Sequence, residues 1–296
     1  MSRTRATFTG FVAVLLWSLL ALLTVGSAPV PPLQLGAMSF TLGAAIGLIW
    51  AVLRGSTGRL RGLGWPVWAF GTAGLFGYHA LYFAALRLAP PAQAGLIAYL
   101  WPLLIVLLSG LLPGERLSAR HLAGAGLGFA GAALIILGEV QNAGATALPG
   151  YALALACALV WAGYSVISRR LEAVPTESVA IFCLTTALLS ALAHLAFEQT
   201  VWPGSWRGWA SIVALGLGPV GIAFYVWDIG VKRGDIQLLG VASYAAPLLS
   251  TLLLVCAGLA APTLRLALAA ALIAGGAALA GWASTRPTKF TPRSGV

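Results

Sequence analysis

Aromatic and hydroxyl-bearing residues at helical spacing are the part of this sequence with the most distinctive chemistry. In the stretch GYHALYFAAL, Tyr78 and Tyr82 are four residues apart and His79 and Tyr82 are three apart, so a helix places them on one broad face. Aromatic faces attract an ammonium group, and hydroxyl and imidazole groups can hydrogen-bond the charged ends of a zwitterion. Similar residues occur in other apolar stretches: Trp17, Tyr99, Trp101, Trp161, Tyr164, Ser243 and Tyr244. We predict that all of these side chains line a substrate cavity.

A glycine motif in the stretch GAGLGFAG has the spacing G-x-G-x-x-G, which cradles phosphate in soluble dinucleotide-binding folds. In this chain no strand pattern precedes the motif, and no acidic residue follows it in a βαβ context. Gly124, Gly128 and Gly131 instead recur at helical spacing, which gives a smooth face for the close approach of a neighbouring helix. We therefore predict helix packing at these glycines and no nucleotide cofactor.

The remaining polar residues form no recognisable catalytic or metal-binding set. The three cysteines, Cys157, Cys183 and Cys256, lie in apolar stretches without a C-x-x-C motif or a neighbouring pair of histidines. The sequence places no paired carboxylates and no Ser–His–Asp set at one depth of the apolar segments. We therefore expect no enzyme activity, no metal and no cofactor; a membrane enzyme and a membrane assembly protein are the alternatives from other classes.

The composition is that of a protein that crosses a membrane many times. Hydrophobic residues make up 60% of the 296 residues and charged residues only 8%, too few to cover a water-soluble surface. At about twenty residues each, the apolar segments fit helices rather than membrane strands, which need about ten. The predicted transmembrane helices are 8–26, 33–53, 66–86, 92–112, 121–138, 149–168, 178–197, 209–229, 237–258 and 264–283. The predicted fold class is therefore an all-α membrane protein with ten transmembrane helices.

The first of these segments could also be a secretory signal peptide. Arg3 and Arg5 precede its apolar run, and the small residues Gly26, Ser27 and Ala28 follow it. Its length, and its counterpart later in the chain, favour a helix that is retained.

The lysine and arginine residues indicate how the chain is oriented. The formal net charge is +10, which in a soluble protein would suggest a nucleic-acid partner. With ten spans and a cytoplasmic N-terminus, 14 of the 17 basic residues fall on the cytoplasmic side, and only Arg87, Arg207 and Arg265 fall outside. We therefore predict that both termini are cytoplasmic and that the partner is the lipid bilayer, not nucleic acid. The oligomeric state stays open, and a monomer is compatible with the sequence.

An internal repeat becomes visible when the sequence is shifted by 145 residues against itself. The segment YLWPLLIVLL then aligns with YAAPLLSTLL, so that Tyr99 meets Tyr244 and Pro102 meets Pro247. Each copy holds five spans, and an odd number of spans turns the second copy upside down in the membrane. Pro102 and Pro247 are predicted to be helix kinks, because a proline removes one helical hydrogen bond and clashes with the preceding turn.

The repeat divides the chain into two inverted halves. We predict an N-terminal five-helix repeat at 1–140, an inverted C-terminal five-helix repeat at 147–286 and a cytoplasmic tail at 287–296. Two inverted halves can exchange their shapes, which gives two conformations of similar energy that open to opposite sides of the membrane. This property is the basis of alternating access and favours a transporter over a static assembly protein.

Charged residues are missing from the centres of the predicted spans, which limits the choice of substrate. Asp228 comes closest, near the cytoplasmic end of the eighth span. A site for a cation would need a buried carboxylate, and a site for a nucleotide sugar would need buried lysine or arginine. We therefore predict a substrate that is neutral, zwitterionic or apolar, and an amino-acid zwitterion suits the aromatic residues.

The chain resembles the EamA branch of the drug/metabolite transporter superfamily. The resemblance rests on ten spans in two inverted repeats, Pro102 in the fourth span and a glycine-rich fifth span that ends in GAALIILG. Within that branch, GYHALYFAALRLAPPAQAGLIAYLWPLL is similar to the YddG-type aromatic amino acid exporters of bacterial inner membranes. The resemblance implies an exporter with a central cavity between the halves. It implies cavity lining by Trp17, Tyr78, His79, Tyr82, Tyr99, Trp101 and Trp161.

The function expected from these observations is secondary export of neutral, especially aromatic, amino acids across a bacterial inner membrane. Export of drugs or other small metabolites is the alternative, because an aromatic cavity is permissive. No carboxylate relay is visible in the sequence, which favours facilitated diffusion. His79 keeps proton coupling open, since histidine is the side chain that titrates near neutral pH.

Overall fold

Helices make up the regular secondary structure of the residues that the structure describes. The computed structural model describes residues 1–136, 147–256, 258 and 262–285, and no strand occurs among them. The helices before residue 137 are α1 Arg3–Trp17, α2 Leu20–Gly26, α3 Pro32–Leu53, α4 Thr57–Arg61, α5 Trp65–Thr72, α6 Tyr78–Leu88, α7 Pro91–Ala98, α8 Trp101–Ser109 and α9 Ala119–Ile136. Those after residue 146 are α10 Leu148–Arg170, α11 Val179–Phe197, α12 Trp206–Leu217, α13 Ala223–Arg233, α14 Ile236–Ala242, α15 Ala245–Cys256 and α16 Leu264–Thr285. The predicted all-α class is confirmed for these ranges.

Seven helical stretches in the described part of the chain are long and apolar enough to cross a membrane. They are Arg3–Gly26, Pro32–Leu53, Leu148–Arg170, Thr176–Phe197, Trp206–Arg233, Ile236–Cys256 and Leu264–Ala283, and Gln93–Ser109 is a shorter apolar stretch. The predicted multi-pass membrane protein is therefore confirmed. The predicted spans 66–86 and 121–138 coincide with α5–α6 and α9, although residues 137–138, like the predicted tail 287–296, lie outside the described residues.

Two π-helical turns occupy equivalent places in the two copies of the sequence repeat. The first, Ala73–Gly77, joins α5 to α6, and the second, Gly218–Ile222, joins α12 to α13. The shift of 145 residues carries the first turn onto the second and carries α6 onto α13, residue for residue. π-helical turns are rare and are concentrated at functional sites. Their repetition at the same offset extends the internal repeat from sequence to backbone geometry.

Three helices are interrupted in the middle of an apolar segment. One interruption, at Ser18–Leu19, separates α1 from α2. The others, at Tyr99–Leu100 and Ser243–Tyr244, separate α7 from α8 and α14 from α15. Each of these last two lies just before a proline, Pro102 or Pro247, whose missing N–H group leaves the carbonyl four residues earlier without its helical donor. Before Pro247, the carbonyl of Ser243 accepts the N–H of Ala246 at 3.1 Å, so a shorter turn replaces the helical hydrogen bond there.

Helix packing follows the same repeat. The helix α9 packs on α16, and α3 packs on α11, so each of these helices contacts its own counterpart. The helix α1 packs on α13, and α10 packs on α6. The repeat relates α1 to α10 and α6 to α13, so these two contacts are equivalent.

Glycines bring the α9 and α16 backbones together. A Cβ atom on Gly124 would lie 2.6 Å from the carbonyl oxygen of Gly276, and one on Gly131 would lie 2.9 Å from the carbonyl oxygen of Ala269. Gly128 makes room for the ring of Tyr244, whereas a Cβ atom on Gly126 would meet nothing within 4 Å. The glycines predicted to pack thus lie on the contact face, and the glycine between them faces away.

Candidate functional site

An aromatic cluster lies at the centre of the bundle, and we define it as Trp17, Trp101, Trp161, Phe224 and Trp227. The ring centroid of Trp17 lies 6.0 Å from that of Trp101 and 5.1 Å from that of Trp227. The Trp161 ring lies 5.7 Å from Phe224 and 6.4 Å from Trp101. The members come from α1 and α8 of the first half and from α10 and α13 of the second. The two halves therefore meet through aromatic side chains.

Local backbone features position the indole rings of the cluster. Trp17 is the last residue of α1 and Trp101 the first of α8, so both rings stand at helix interruptions. The indole N–H of Trp17 donates to the carbonyl of Pro219 at 3.1 Å, within the second π-helical turn. The indole N–H of Trp227 donates to the hydroxyl of Ser165 at 3.1 Å. A helix interruption and a π-helical turn thus position and orient Trp17, whereas a hydroxyl group within α10 orients Trp227.

A stripe of half-buried side chains continues from the cluster along α6. The Tyr78 and Tyr82 rings stack with centroids 6.1 Å apart and planes only 4° from parallel. Tyr78 also lies 5.5 Å from Trp161, and Tyr99 lies 6.4 Å from Trp101. Tyr78, Tyr82 and Tyr99 are more exposed than Trp101 and Trp161, which retain 5% and 3% of their accessible surface. The tyrosines therefore form an accessible wall beside a buried aromatic centre.

His79 is fixed in one tautomer by its backbone contact. Its Nδ1 lies 2.7 Å from the carbonyl oxygen of Leu75, in the first π-helical turn. A carbonyl only accepts, so Nδ1 carries the proton and Nε2 of the neutral ring is an acceptor. The ring also packs edge to face against Phe40, with centroids 5.0 Å apart. One ring nitrogen is thus satisfied by the fold and the other can accept a hydrogen bond.

Three of the predicted cavity residues lie behind the cluster or in helix packing. Tyr164 is buried and stacks on Trp161 at 5.2 Å. The hydroxyl of Ser243 donates to the carbonyl of Leu239 at 2.7 Å. Tyr244 is fully buried, and its hydroxyl accepts the backbone N–H of Leu103 at 3.1 Å. The sequence repeat suggests that Tyr244 has the same role as Tyr99, but its ring fills the space beside Gly128.

Tyr244 also compensates for the interruption between α7 and α8. In an unbroken helix the N–H of Leu103 would donate to the carbonyl of Tyr99, four residues earlier. Here that N–H donates to the Tyr244 hydroxyl, on the other half of the chain. The two prolines follow their interruptions closely, Pro102 as the second residue of α8 and Pro247 as the third of α15.

Phe224 and Trp227 belong to the cluster, but they are not among the predicted cavity residues. The repeat could have found them, because the shift of 145 residues carries His79 onto Phe224 and Tyr82 onto Trp227. Phe40, which stacks on Phe224 with centroids 5.6 Å apart, has no comparable signal in the sequence. Internal symmetry thus identifies cluster residues that residue type alone does not indicate, although it misassigns Tyr244.

The charged group nearest to the cluster is neutralised within the structure. Asp228 follows Trp227 directly, is 2% exposed and lies 2.9 Å from the ammonium group of Lys232. The Thr176 hydroxyl donates to its other carboxylate oxygen at 2.7 Å. Within the described residues, no group of three or more His, Cys, Asp or Glu side chains could hold a metal ion. The cluster therefore presents uncharged aromatic surfaces, and the residues beside it add tyrosine hydroxyl groups and the imidazole of His79.

A second charged group, which we call the ion-pair cluster, joins the halves at one end of the bundle. It consists of Arg3, Glu115, Arg169 and Asp235. Arg3 lies 3.2 Å from Glu115 and 3.3 Å from Asp235, and Arg169 forms an ion pair with Glu115. The Arg169 guanidinium also donates to the carbonyls of Val231 and Gly234, each at 2.9 Å. This end of the bundle is the end that the distribution of basic residues assigns to the cytoplasm.

The model of the EamA-like transporter family matches residues 4–137 and again residues 148–282. The chain therefore belongs to the EamA-like transporter family, a family of transporters and not of enzymes, and the predicted family is confirmed. The two matched segments correspond to the two copies of the internal repeat.

Among similar proteins, an "Aromatic amino acid exporter YddG" from Ancylobacter novellus is 59% identical over 283 residues, covering 95% of this chain and 98% of that protein. A protein of the same name from Salmonella typhimurium is 27% identical and covers 86% of this chain and 88% of its own length. A crystal structure of a protein 58% identical to this chain matches with a TM-score of 0.91 and covers 96% of this chain and all of its own.

Proposed function

We propose that this protein is a secondary transporter that exports neutral, especially aromatic, amino acids across a bacterial inner membrane by alternating access. The observation that carries the proposal is the aromatic cluster, in which both halves contribute rings beside the accessible wall of Tyr78, Tyr82 and Tyr99. The names of the similar proteins, which describe exporters of aromatic amino acids, support the same substrate class.

The site suits an aromatic amino acid in each of its parts. The substrate ring can stack on the wall, since aromatic pairs add about 0.5–1.5 kcal/mol beyond the burial of their area. An ammonium group is attracted by tyrosine and tryptophan faces and by the carbonyl of Ala98, which Pro102 leaves without its helical donor. The Nε2 atom of His79 can accept a hydrogen bond from the ammonium or from an indole N–H. A zwitterion needs no buried counter-ion, which agrees with the neutralised state of Asp228.

The fold of this transporter is ten transmembrane helices in two inverted five-helix repeats, 1–140 and 147–286, followed by a cytoplasmic tail at 287–296. The repeated π-helical turns, the exchanged packing of α1–α13 and α10–α6, and the double match to the family model support this arrangement. The even number of spans and the excess of basic residues in alternate loops support cytoplasmic termini. The lipid bilayer surrounds the transporter. A monomer is sufficient for transport, because one chain contains both halves of the site.

The ion-pair cluster supports a state that is closed to the cytoplasm. It ties Arg3 and Glu115 of the first half to Arg169 and Asp235 of the second. The repeat places Pro90 at the position of Asp235, so this carboxylate has no counterpart at the outer end, where Arg87 and Glu198 join the halves through a longer contact of 3.7 Å. Breaking the ion pairs admits substrate from the cytoplasm, and restoring them accompanies release to the outside.

Facilitated diffusion is the mode of transport, because the carboxylate nearest the site is held in an ion pair and His79 is fixed to a backbone carbonyl. The test is counterflow of tryptophan in proteoliposomes, with phenylalanine, methionine, threonine and a cationic dye as competitors. We expect competition by the aromatic amino acids and equal rates with and without an imposed pH gradient. Transport of the dye without competition by tryptophan would favour the multidrug alternative, and uptake that required the gradient would overturn facilitated diffusion.

A further inference from the structure

A cavity of about 360 Å³ lies at the end of the bundle that we propose to be cytoplasmic. Both halves line it: Met1, Trp50, Arg54 and Arg59 come from the first half, and Pro175, Thr176, Glu177, Ile229 and Arg233 from the second. Three of these side chains are arginines. The cavity is separate from the aromatic cluster, since it shares no lining residue with the rings that define the cluster.

The three arginines of this cavity outnumber its one carboxylate, that of Glu177. In the described part of the chain, no carboxylate lies within ion-pair distance of Arg54, Arg59 or Arg233. The one carboxylate in the lining, Glu177, is buried and accepts from the hydroxyl of Ser56 at 3.4 Å. Arginine presents a planar set of donors that matches phosphate oxygens. The cavity therefore has the charge and the donors of a site for a phosphate group.

The surroundings of the arginines indicate the source of that phosphate group. The guanidinium of Arg54 lies over the Trp50 ring, 5.5 Å from its centroid, at the end of α3. In the last two turns of the same helix, Ile49, Val52 and Leu53 are 60%, 65% and 81% exposed. In the membrane orientation proposed above, these apolar side chains face the acyl region of the bilayer and the arginines lie at the level of the headgroups. A phospholipid can contact the arginines through its phosphate group and the apolar side chains of α3 through its acyl chains. A soluble anion can contact only the arginines.

We propose that this cavity binds the phosphate group of an anionic phospholipid from the cytoplasmic leaflet, with its acyl chains along the exposed face of α3. Basic pockets between transmembrane helices on the cytoplasmic side are suited to such headgroups. Arg54 and Arg59 belong to the first half and Arg233 to the second, so the bound lipid bridges the halves at the end where the ion-pair cluster also joins them.

The experiment is native mass spectrometry of the full-length protein, delipidated in detergent and titrated with phosphatidylglycerol or phosphatidylcholine. We expect one tightly bound phosphatidylglycerol on the wild-type protein. Arg54→Gln/Arg233→Gln should bind it about 30-fold more weakly, because each arginine near the membrane surface contributes roughly fivefold. The matched control is Arg61→Gln/Arg116→Gln, which removes two exposed positive charges from the same end without touching the cavity. It should bind as the wild type does.

Equal weakening in the control pair, or equally tight phosphatidylcholine binding, would overturn the proposal. Displacement of the lipid by millimolar inorganic phosphate would also overturn it and assign the cavity to a soluble anion. If the double variant is not recovered folded, Arg59→Gln alone should weaken binding about fivefold, and unchanged binding there counts against the site. Because lipid binding is measured without transport, its failure is distinguishable from failure of the proposed export function.

Discussion

Trp17 and Trp161 lie one residue away from equivalent positions in the two halves and meet edge to face, with ring centroids 5.8 Å apart and planes at 75°. Their environments nevertheless differ. Trp17 is half-buried and donates to the carbonyl of Pro219, whereas Trp161 is buried between Tyr78 and Tyr164. One residue type thus occupies two different settings at the centre of the bundle. This difference is what alternating access requires of a symmetric sequence, because each half must adopt in turn the conformation of the other.

We expect Tyr82→Ala to weaken the apparent affinity for tryptophan by about fivefold to tenfold, since it removes one of the two stacked rings of the wall. Tyr82→Phe should stay within about twofold of the wild type, because the ring and not the hydroxyl makes the stacking contact. The measurement is tryptophan counterflow in proteoliposomes at matched protein content. As a control for loss of any aromatic residue, Trp206→Ala changes a side chain that is 74% exposed and should leave counterflow unchanged.

His79→Phe should fold normally, because its counterpart in the other half, Phe224, is already a phenylalanine in a similar helix. The variant lacks the Nε2 acceptor, so we expect about fivefold weaker apparent affinity for tryptophan, the effect of one hydrogen bond. Transport rates with and without a pH gradient should be equal in both proteins. A gradient dependence present in the wild type and lost in His79→Phe would instead assign proton coupling to this residue.

Glu115→Gln should loosen the cytoplasmic end, because the carboxylate is shared by Arg3 and Arg169 and is largely buried. Arg169, whose side chain is 19% exposed, then loses its carboxylate partner, whereas Arg3 is 54% exposed and keeps Asp235. We expect faster labelling, from the cytoplasmic side, of a cysteine placed at Ser168 in an otherwise cysteine-free protein. Glu172→Gln is the matched control, because this glutamate is exposed. Equal labelling in the two variants would show that the ion pairs do not hold this end closed.

Gly124→Ala should destabilise the α9–α16 contact, since the added Cβ atom would lie 2.6 Å from the backbone carbonyl oxygen of Gly276. Gly126→Ala should leave the midpoint of thermal unfolding unchanged or raise it slightly. Its Cβ atom meets nothing within 4 Å, and alanine is favoured over glycine in a helix by roughly 0.5–1 kcal/mol. Thermal unfolding in detergent, followed by fluorescence-detected size exclusion, measures both. A larger loss in Gly126→Ala would contradict packing as the role of this motif.

The sequence was sufficient to predict the class of fold, because apolar length and the sidedness of arginine and lysine are direct consequences of the bilayer. It also indicated most of the aromatic residues that the structure gathers. Trp17, Trp101 and Trp161 contact one another although they lie in three separate apolar segments. Tertiary packing decided the rest, as Tyr244 illustrates. Its match to Tyr99 predicts an accessible ring, but the absence of a side chain at Gly128 gives that ring a buried place.

The π-helical turns could not be predicted, because no residue type specifies an i→i+5 hydrogen bond. The ion-pair cluster was missed for a different reason. Its four members, Arg3, Glu115, Arg169 and Asp235, are ordinary loop and helix-end charges in the sequence, and only the closure of the two halves brings them together.

The π-helical turns at Ala73–Gly77 and Gly218–Ile222 limit which one-residue deletions the sequence can accept during evolution. A π-helical turn holds one residue more than an α-helical turn, so it offsets everything downstream by about 100° around the helix axis. Deleting one residue in the first turn would rotate Tyr78 and Tyr82 away from their present direction, and deleting one in the second would rotate Phe224 and Trp227, with almost no change in hydropathy or length. We therefore expect a one-residue deletion in either turn to disrupt the aromatic site while keeping the apolar segments long enough to cross the membrane.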